Sequence, residues 1–397
     1  MRDDIYLPKR WAVRALGRLS YPQVASQPVD KWLRLVSSPC TVGPVSHPGR
    51  RRDTLAVVAR IAMGGPVSTV QLRGAGLTVG QIRAAVHGGE LLALRRDIVI
   101  AANTWSDASA AGRVLLASRA ALLVHPNGAV SHETAARLLG LPTPRKEPAL
   151  DAQGIPIIHL TRPGHRRTVD WLEVHGGQLG GDDVSSAGVI RRTVLVRTAI
   201  DVARTSPFPF AVATMDAAHR ALTIAIARLR EPWLDERVAV LDTSARTEAG
   251  SRIRQALDAH AATHGMSRAA RAAAWADPGS ETVLESLARV RIRKAHLPMP
   301  ECGQMVVGAS GRTYWVDKLW RAQRVIGEDD GMLKYVTGDD LIKEKLRQED
   351  LESAGHRFVR CGWHDVSADP RPWLARLRRA LAAGPGRKAA PTRAWAD

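Results

Sequence analysis

Apolar residues recur at helical spacing from residue 53 onward and predict the first ordered segment of the chain. Four of them share one stripe of a helix that Gly64, Gly65 and Pro66 end. They are Leu55, Val58, Ile61 and Ala62. Two capping boxes follow, in which a Ser or Thr precedes a Gln by three residues, and each predicts the start of a short helix. The boxes pair Ser68 with Gln71 and Thr78 with Gln81.

Residues 90–94 and 98–101 flank a charged turn, and they predict a two-stranded hairpin. Three helices followed by a hairpin is the element order of a winged-helix DNA-binding domain. The second capped helix would be its recognition helix, with Gln81, Arg83 and His87 on the polar face. Three more arginines could contact phosphates, namely Arg73, Arg95 and Arg96. The alternative is a small helical domain whose arginines only face solvent.

The charge of the whole chain favours the DNA-binding interpretation. Its 397 residues include 57 Lys and Arg against 39 Asp and Glu, which gives a net charge of +18. Such a basic balance is typical of proteins that bind polyanions. The heavy use of Ala, Arg and Gly is also typical of high-GC bacterial genomes, so the alternative is a solvated basic surface without function.

The sequence predicts a cytoplasmic protein without a membrane partner. No apolar run approaches the roughly 18 residues that a membrane span needs, and no signal-peptide pattern follows Met1. The three cysteines, Cys40, Cys302 and Cys361, are far apart. Their spacing argues against a zinc site and a disulfide framework, and it fits a reducing compartment.

We predict a multidomain α/β protein with five segments. Residues 1–52 lack periodicity and indicate a disordered arm, or a translation start placed too far upstream. Residues 53–104 are the winged helix, 105–270 a mixed α/β middle domain, and 275–383 an α/β C-terminal domain. Residues 384–397, rich in Gly, Pro and Ala, predict a disordered tail.

The middle segment is predicted to mix helices and strands. Its helices cover 108–124, 131–139, 197–204, 211–226 and 251–264, and its strands cover 155–160, 171–175 and 193–197. Neither a hydrolase elbow nor a nucleotide-binding glycine motif occurs there. The polar pair His132 and Glu133 lies at a predicted helix start, where Ser131 would cap the helix and Glu133 would suit its dipole. We therefore interpret this pair as structural rather than catalytic.

The C-terminal segment predicts a helix, three strands, a helix, a strand and a helix, in that order. The helices cover 280–293 and 341–353, with a last one capped by Asp369 and started by Pro370. The strands cover 304–307, 314–319, 323–328 and 356–362.

Acidic residues lie near the ends of these predicted strands. Asp317 lies in one strand, Glu328 ends the next, and Asp330 shares a face with Glu328 if that strand continues. Glu285, on the preceding helix, can reach the same edge. Converging carboxylates favour Mg²⁺ or Mn²⁺, which would activate a water for phosphodiester hydrolysis. Lys334 could neutralise charge or orient the nucleophile.

Seven stretches in this segment match a known pattern in order. They lie at 285–289, 316–320, 327–331, 333–335, 344–350, 355–360 and 363–366. Together they resemble the restriction-endonuclease-like domain related to very-short-patch-repair endonucleases, found in uncharacterised proteins of high-GC bacteria. The resemblance implies a metal-dependent nuclease whose acidic site residues are Glu285, Asp317 and Glu328.

One position departs from that pattern, because Asp330 stands where a lysine is usual, two residues after the second acid. Either Lys334 substitutes for that lysine or the site is inactive, and the acidic stretch at 329–331 is also a good turn sequence. The next predicted helix has a basic face that could steer a DNA backbone or only be solvated. It carries Lys343, Lys345 and Arg347.

The front half carries a second resemblance. Residues 55–102, 131–136 and 197–204 are similar to the winged helix and following domain of AbiEi-type antitoxins. That resemblance implies DNA binding and a toxin–antitoxin or phage-defence context, with a cognate toxin or defence protein as partner.

We therefore predict a DNA-binding protein whose C-terminal domain cuts or nicks DNA. Two alternatives stay open from the sequence. One is a transcriptional regulator with an inactive nuclease fold, and the other is an antitoxin that binds a toxin through its middle domain.

Overall fold

A computed structural model of the protein describes residues 51–62, 64–330 and 338–384. These residues form two compact units, 51–202 and 203–384. Their helices and mixed sheets confirm the predicted α/β class. The predicted arm, apart from its last two residues, and the predicted tail after Gly384 lie outside the described residues.

The first unit begins with three helices and three strands. The helices are α1 (Arg51–Ala62), α2 (Thr69–Gly74) and α3 (Val79–His87), and the strands are β1 (Val67–Ser68), β2 (Leu91–Arg95) and β3 (Ile98–Ala101). The strands pair antiparallel in the order β1-β3-β2. Both predicted capping boxes are present, because the Ser68 and Thr78 hydroxyls accept from backbone N–H groups whose own Gln side chains reach back to the caps.

The rest of the first unit is a six-stranded sheet with four helices. The helices are α4 (Ala102–Ser106), α5 (Ala110–Val124), α6 (His132–Leu138) and α7 (Leu195–Thr205). The strands are β4 (Ala129–Val130), β5 (Ile158–Arg162), β6 (Arg167–Val169), β7 (Leu172–Gly176), β8 (Val184–Ala187) and β9 (Ile190–Thr193). The order is β6-β7-β5-β4-β9-β8, and the pairs β5/β7 and β4/β9 are parallel.

The predicted strand at 193–197 is wrong. β9 ends at Thr193 and α7 begins at Leu195. Two valines favoured a strand by their β propensity, but the apolar side chains that follow are buried at helical spacing. These buried side chains are Ala199, Ile200, Val202 and Ala203.

The second unit opens with four helices, α8 (Phe208–Arg230), α9 (Glu236–Leu241), α10 (Thr243–Ala259) and α11 (Met266–Trp275). Among the described helices, α8 alone is long and apolar enough to cross a membrane, by length and composition only. Its sequence is not a continuous apolar run, because Asp216, His219 and Arg220 interrupt it. In this window 56% of the residues are buried inside the protein, as they are in a core helix.

A four-stranded sheet with flanking helices completes the second unit. The helices are α12 (Val283–Lys294), α13 (Gly338–Ser353), α14 (Trp363–Ser367) and α15 (Arg371–Ala382), and the strands are β10 (Glu301–Val307), β11 (Thr313–Trp320), β12 (Val325–Asp330) and β13 (Arg357–Gly362). The sheet order is β10-β11-β12-β13. The first three strands are antiparallel neighbours, and β13 runs parallel to β12.

Each face of this sheet has its own core. Trp320 and Val325 pack with Leu284 of α12 and Trp373 of α15. On the other face, a separate cluster involves α13. It contains Leu319, Ile326 and Leu351. Helices therefore cover both sides of the strands that carry the predicted acids.

The division between the units falls inside the region 105–270 that the sequence assigned to one middle domain. The reason lies in α8, which packs against α12. Its Asp216 binds Arg289 of α12 through two contacts of 2.8 and 2.9 Å, with both side chains buried. Helices from residue 208 onward therefore belong with the C-terminal sheet.

Candidate functional site

The predicted acidic residues lie on β11, β12 and α12. Asp317 lies on β11, Glu328 and Asp330 lie on β12, and Glu285 lies in the first turn of α12. β12 continues to Asp330, so Glu328 and Asp330 share a face of the sheet, as predicted. The strand register is fixed by pairing with β13.

Glu285 is a buried carboxyl group close to a second acid. It is 5% exposed, and it accepts hydrogen bonds of 2.8 Å from the Glu281 backbone N–H and the Thr282 hydroxyl. Burial, and then the charge of Asp317, raise the pKa of Glu285 to about 7, against an opposing effect of Lys318. The two acids therefore lie close enough to repel each other, and a divalent cation or a proton would relieve that repulsion.

Asp317 and Glu328 each have a hydrogen-bonding partner. Asp317 Oδ2 accepts from the backbone N–H of Asp329 at 2.8 Å. Glu328 is 4% exposed and accepts from Arg347 of α13 at 2.8 Å. In the part of the chain that the structure describes, Glu285, Asp317 and Glu328 do not offer three ligand atoms all within 4.8 Å of one another. Glu285 and Asp317 are neighbours, whereas Glu328 is bonded to Arg347, so a cation bound by all three would have to draw Glu328 towards the other two acids.

The predicted DNA-steering face of α13 is only partly correct. Lys343 and Lys345 are exposed, as that role requires. Arg347 instead turns inward, where it bonds Glu328, Glu344 and the carbonyl of Trp315. In the described conformation a buried carboxylate therefore holds the Arg347 guanidinium through a charge-assisted hydrogen bond, and Arg347 does not face solvent as the predicted contact with DNA would require.

The position where a nuclease lysine is usual is occupied by Asp330, which binds an arginine of β13 at 3.1 Å. Lys334, the predicted substitute, lies outside the described residues. The buried ion pair between Lys318 and Asp329 was not predicted from the sequence. Lys318 also lies close enough to Glu285 to oppose the rise in the pKa of that acid, so this ion pair borders Glu285.

A cleft of about 620 Å³ opens in the second unit, and three acidic residues line it, namely Asp235, Glu236 and Glu281. Its wall includes Arg220, Arg237 and Trp315. The Arg237 guanidinium lies 5.9 Å from the centroid of the Trp315 ring and 3.6 Å from the Glu281 carboxylate. The backbone of Glu281 binds Glu285, and Trp315 lies on the same strand and face as Asp317. The cleft is therefore lined by residues that neighbour Glu285 and Asp317 and not by these acids themselves.

Glu285→Gln is expected to stabilise the metal-free protein near pH 8 by up to about 3 kcal/mol. The pKa of Glu285 rises from 4.5 to about 7 on folding. The native state therefore binds this proton more tightly, and wild-type stability falls as the pH rises from about 4.5 to about 7. Glutamine resembles the protonated acid and removes that loss.

Thermal unfolding in the presence of a chelator checks this expectation. The variant and the wild type should have similar Tm values near pH 5, and the variant should have the higher Tm near pH 8. A lower Tm for the variant at both pH values would show that the buried carboxylate is not destabilising.

The residues predicted to contact DNA in the first unit differ in the exposure of their side chains and in the bonds that these make within the protein. Arg73, Arg83 and Arg96 are exposed. Arg95 is half-buried and binds Asp97 at 3.1 Å. Two side chains on α3 are engaged within their own helix, because Gln81 Oε1 accepts from the Thr78 N–H and His87 Nδ1 bonds the Arg83 carbonyl at 2.9 Å. The exposed arginines are therefore better placed for DNA than Gln81 or His87.

The start of α6 differs from the sequence prediction. Ser131 occupies the N-cap position, but its hydroxyl does not cap the helix. It bonds His132 Nδ1 at 2.9 Å and accepts from the Thr161 hydroxyl at 2.8 Å. Glu133 lies in the first turn, as predicted. His132 is buried and stacks on His175 with 3.6 Å between ring centroids, which the sequence spacing did not indicate.

Comparison with known proteins adds relatives but no activity. No protein-family model matches the chain. The chain is similar to two uncharacterized proteins from two strains of Mycobacterium tuberculosis. Each is 27% identical over 232 residues, which span 58% of this chain and 76% of the relative.

Proposed function

We propose that the protein binds DNA and hydrolyses its phosphodiester bonds with a divalent cation, Mg²⁺ or Mn²⁺, held by Glu285, Asp317 and Glu328. The observation that carries this proposal is the buried Glu285 carboxyl group beside Asp317. Burying like charges together is costly without a counter-ion. A fold that keeps Glu285 and Asp317 together is suited to binding a cation.

The donor set fits a hard divalent ion. All three side chains offer carboxylate oxygens, which are the ligands that Mg²⁺ and Mn²⁺ prefer. When bound, the cation lowers the pKa of a water molecule and polarises the phosphate.

Arg347 has a defined part in this proposal. In the described conformation it is bonded to Glu328 and Glu344. A cation would compete with it for Glu328, and Glu344 would keep the guanidinium close. Arg347 would then neutralise charge on the bound phosphate, the part that the sequence analysis gave to Lys334.

The topology of the second unit supports the same proposal. The order α12, β10, β11, β12, α13, β13 places an antiparallel three-stranded meander between two helices, followed by a parallel strand. This element order was predicted for the segment whose seven sequence stretches resemble restriction-endonuclease-like domains.

The cleft offers contacts for a nucleic-acid strand. Arg220 and Arg237 can bind phosphates once they leave Glu281, which each approaches within 4.0 Å. Trp315 provides an aromatic face on which an unstacked base can lie. These groups would place a phosphodiester bond near the acids.

The first unit is proposed to locate the DNA. Three helices with a sheet in the order β1-β3-β2 support a winged helix, and its exposed arginines suit phosphate contacts. These arginines are Arg73, Arg83 and Arg96. The AbiEi-type resemblance adds a cognate toxin or defence partner to the proposal, and the spacing of the cysteines adds a cytoplasmic location.

A non-enzymatic regulator is the second candidate function. Two observations favour this candidate. Arg347 already donates a hydrogen bond to Glu328, and Asp330 stands at the position where restriction-endonuclease-like domains usually have a lysine. In that case the first unit would bind an operator, and the C-terminal sheet would be only a scaffold.

Arg83→Ala is expected to weaken DNA binding by about tenfold. The slope of log affinity against log salt concentration should also become shallower by about one, the contribution of one phosphate contact. Arg83 is exposed on the proposed recognition helix. Fluorescence anisotropy at several salt concentrations measures both quantities. Arg167→Ala, an exposed arginine on β6, is the matched control. Equal losses in both variants would show that binding depends on net charge and not on α3.

Plasmid nicking tests the proposed function. Purified protein should convert supercoiled DNA to the open circle with Mg²⁺ or Mn²⁺ and not in EDTA, while anisotropy reports binding to the same DNA. Binding without nicking in either metal would overturn the nuclease proposal and leave the regulator. Nicking that persists in EDTA would exclude the metal-dependent mechanism.

A further inference from the structure

Three ligand-type side chains meet on one face of the six-stranded sheet in the first unit. His159 lies on β5, and Glu173 and His175 lie on β7. The two strands are parallel neighbours, with His159 opposite Glu173 and Thr161 opposite His175. Because side chains alternate along a strand, His159, Glu173 and His175 point to the same side.

The distances between these side chains suit one small ion. His159 Nδ1 lies 3.0 Å from His175 Nε2 and 3.7 Å from Glu173 Oε2. Each residue offers one ligand atom, and the three atoms all lie within 4.8 Å of one another. With Zn–N bonds of about 2.0–2.1 Å, two nitrogens on a tetrahedral zinc ion lie roughly 3.3 Å apart. The observed separations lie on either side of that value.

A shell of further contacts fixes the imidazole rings. His132 stacks on His175 at 3.6 Å between centroids, with 17° between the ring planes. His132 Nδ1 is bonded to Ser131, which accepts from Thr161 on β5. Its Nε2 lies 3.9 Å from Asp201 on α7. Such outer contacts hold ligand side chains in position in metal sites.

The cluster is buried on one side and open on the other. His175 is 9% exposed, whereas the side chains of His159 and Glu173 are 20% and 28% exposed. An ion can therefore enter past Glu173.

We propose that His159, Glu173 and His175 bind one divalent transition-metal ion, with Zn²⁺ as the best-fitting ion. Two imidazoles and one carboxylate are a zinc ligand set that leaves the fourth position open. Imidazole ligands disfavour Mg²⁺, so this site differs in chemistry from the carboxylates of the second unit. The proposal goes beyond the proposed nuclease function and uses the polar residues at the start of α6 that DNA cleavage does not explain.

Metal titration of the chelator-treated protein tests the site. Zn²⁺ binding is followed by calorimetry, and Co²⁺ binding by its visible absorption, with excess Mg²⁺ present to occupy the carboxylates of the second unit. The ligand variants are His159→Gln, Glu173→Gln and His175→Gln. His165→Gln is the matched control, because this histidine is exposed on the connection between β5 and β6.

The wild type and His165→Gln should each bind one equivalent of Zn²⁺, and each ligand variant should bind it at least about 100-fold more weakly. If a histidine variant fails to fold, Glu173→Gln decides the test. The side chain of Glu173 is partly exposed, so the loss of its charge should not unfold the protein. Equal Zn²⁺ affinity in the wild type and Glu173→Gln would overturn the proposal. The proposal would also be overturned if the wild type bound less than one equivalent of Zn²⁺. His159 and His175 would then form only an N–H···N hydrogen bond. Neither readout depends on DNA cleavage, so this proposal and the nuclease proposal fail independently.

Discussion

Asp317→Asn is expected to reduce single-turnover DNA cleavage by at least about 100-fold while leaving DNA affinity unchanged. Asparagine keeps an oxygen that can accept the hydrogen bond from the Asp329 N–H, so the local structure should survive. The substitution removes one negative charge from the group that would hold the cation. It also removes the nearest like charge from Glu285.

The control for this prediction is an exposed acid elsewhere in the same unit. Asp258 lies exposed on α10, and Asp258→Asn should cleave DNA at the wild-type rate. If Asp317→Asn and Asp258→Asn cleave equally well, the site has been placed wrongly or the activity comes from a contaminant. If Asp317→Asn loses DNA binding as well, its effect is structural.

Arg289→Met is expected to destabilise the second unit by about 3–5 kcal/mol. The guanidinium binds both oxygens of Asp216 at 2.8 and 2.9 Å, and it also binds Ser280 and the carbonyl of Trp275. Both members of the ion pair are buried. Methionine would leave the Asp216 carboxylate without its cation in the interior, where an unpaired charge costs most.

Two comparisons isolate the cause of that loss. Arg321→Met removes an exposed pair with Glu301 of 2.7 Å and should cost no more than about 1 kcal/mol. The double variant Arg289→Met/Asp216→Leu should recover most of the stability, because no buried charge is left unpaired. Scanning calorimetry measures all four proteins. A small loss for Arg289→Met would contradict the view that this pair joins α8 to α12.

The sequence predicted best what depends on neighbouring residues. The capping boxes at Ser68 and Thr78 were correct because the hydrogen bonds span only three residues. The order of helices and strands after residue 280 was also predicted, except for the short helix α14, since each of the longer elements has its own periodicity. At 193–197, β-branched residues suggested a strand, but packing within the first unit produced a helix.

The contacts between distant segments could not be predicted. Nothing in the sequence shows that Arg347 turns to Glu328 or that Lys318 pairs with Asp329, because both depend on which face of a strand is covered. The cluster of His159, Glu173 and His175 has one local signal, the alternation of Glu173 and His175. His159 joins the cluster only because β5 pairs parallel to β7. The sequence of neither strand indicates the register of that pairing.

Oxidative cleavage of the polypeptide by bound Fe²⁺ tests the central claim most directly. Fe²⁺ in place of Mg²⁺, with ascorbate and peroxide, cuts the backbone near the ion, and mass spectrometry of the fragments locates the cuts. We predict cuts next to Glu285, Asp317 and Glu328 that excess Mg²⁺ suppresses and that Asp317→Asn abolishes. Cuts beside His159 and His175 would report the other site and should resist Mg²⁺. Fragments that lack any cut near Asp317, or that are unchanged in Asp317→Asn, would contradict a metal site at these acids.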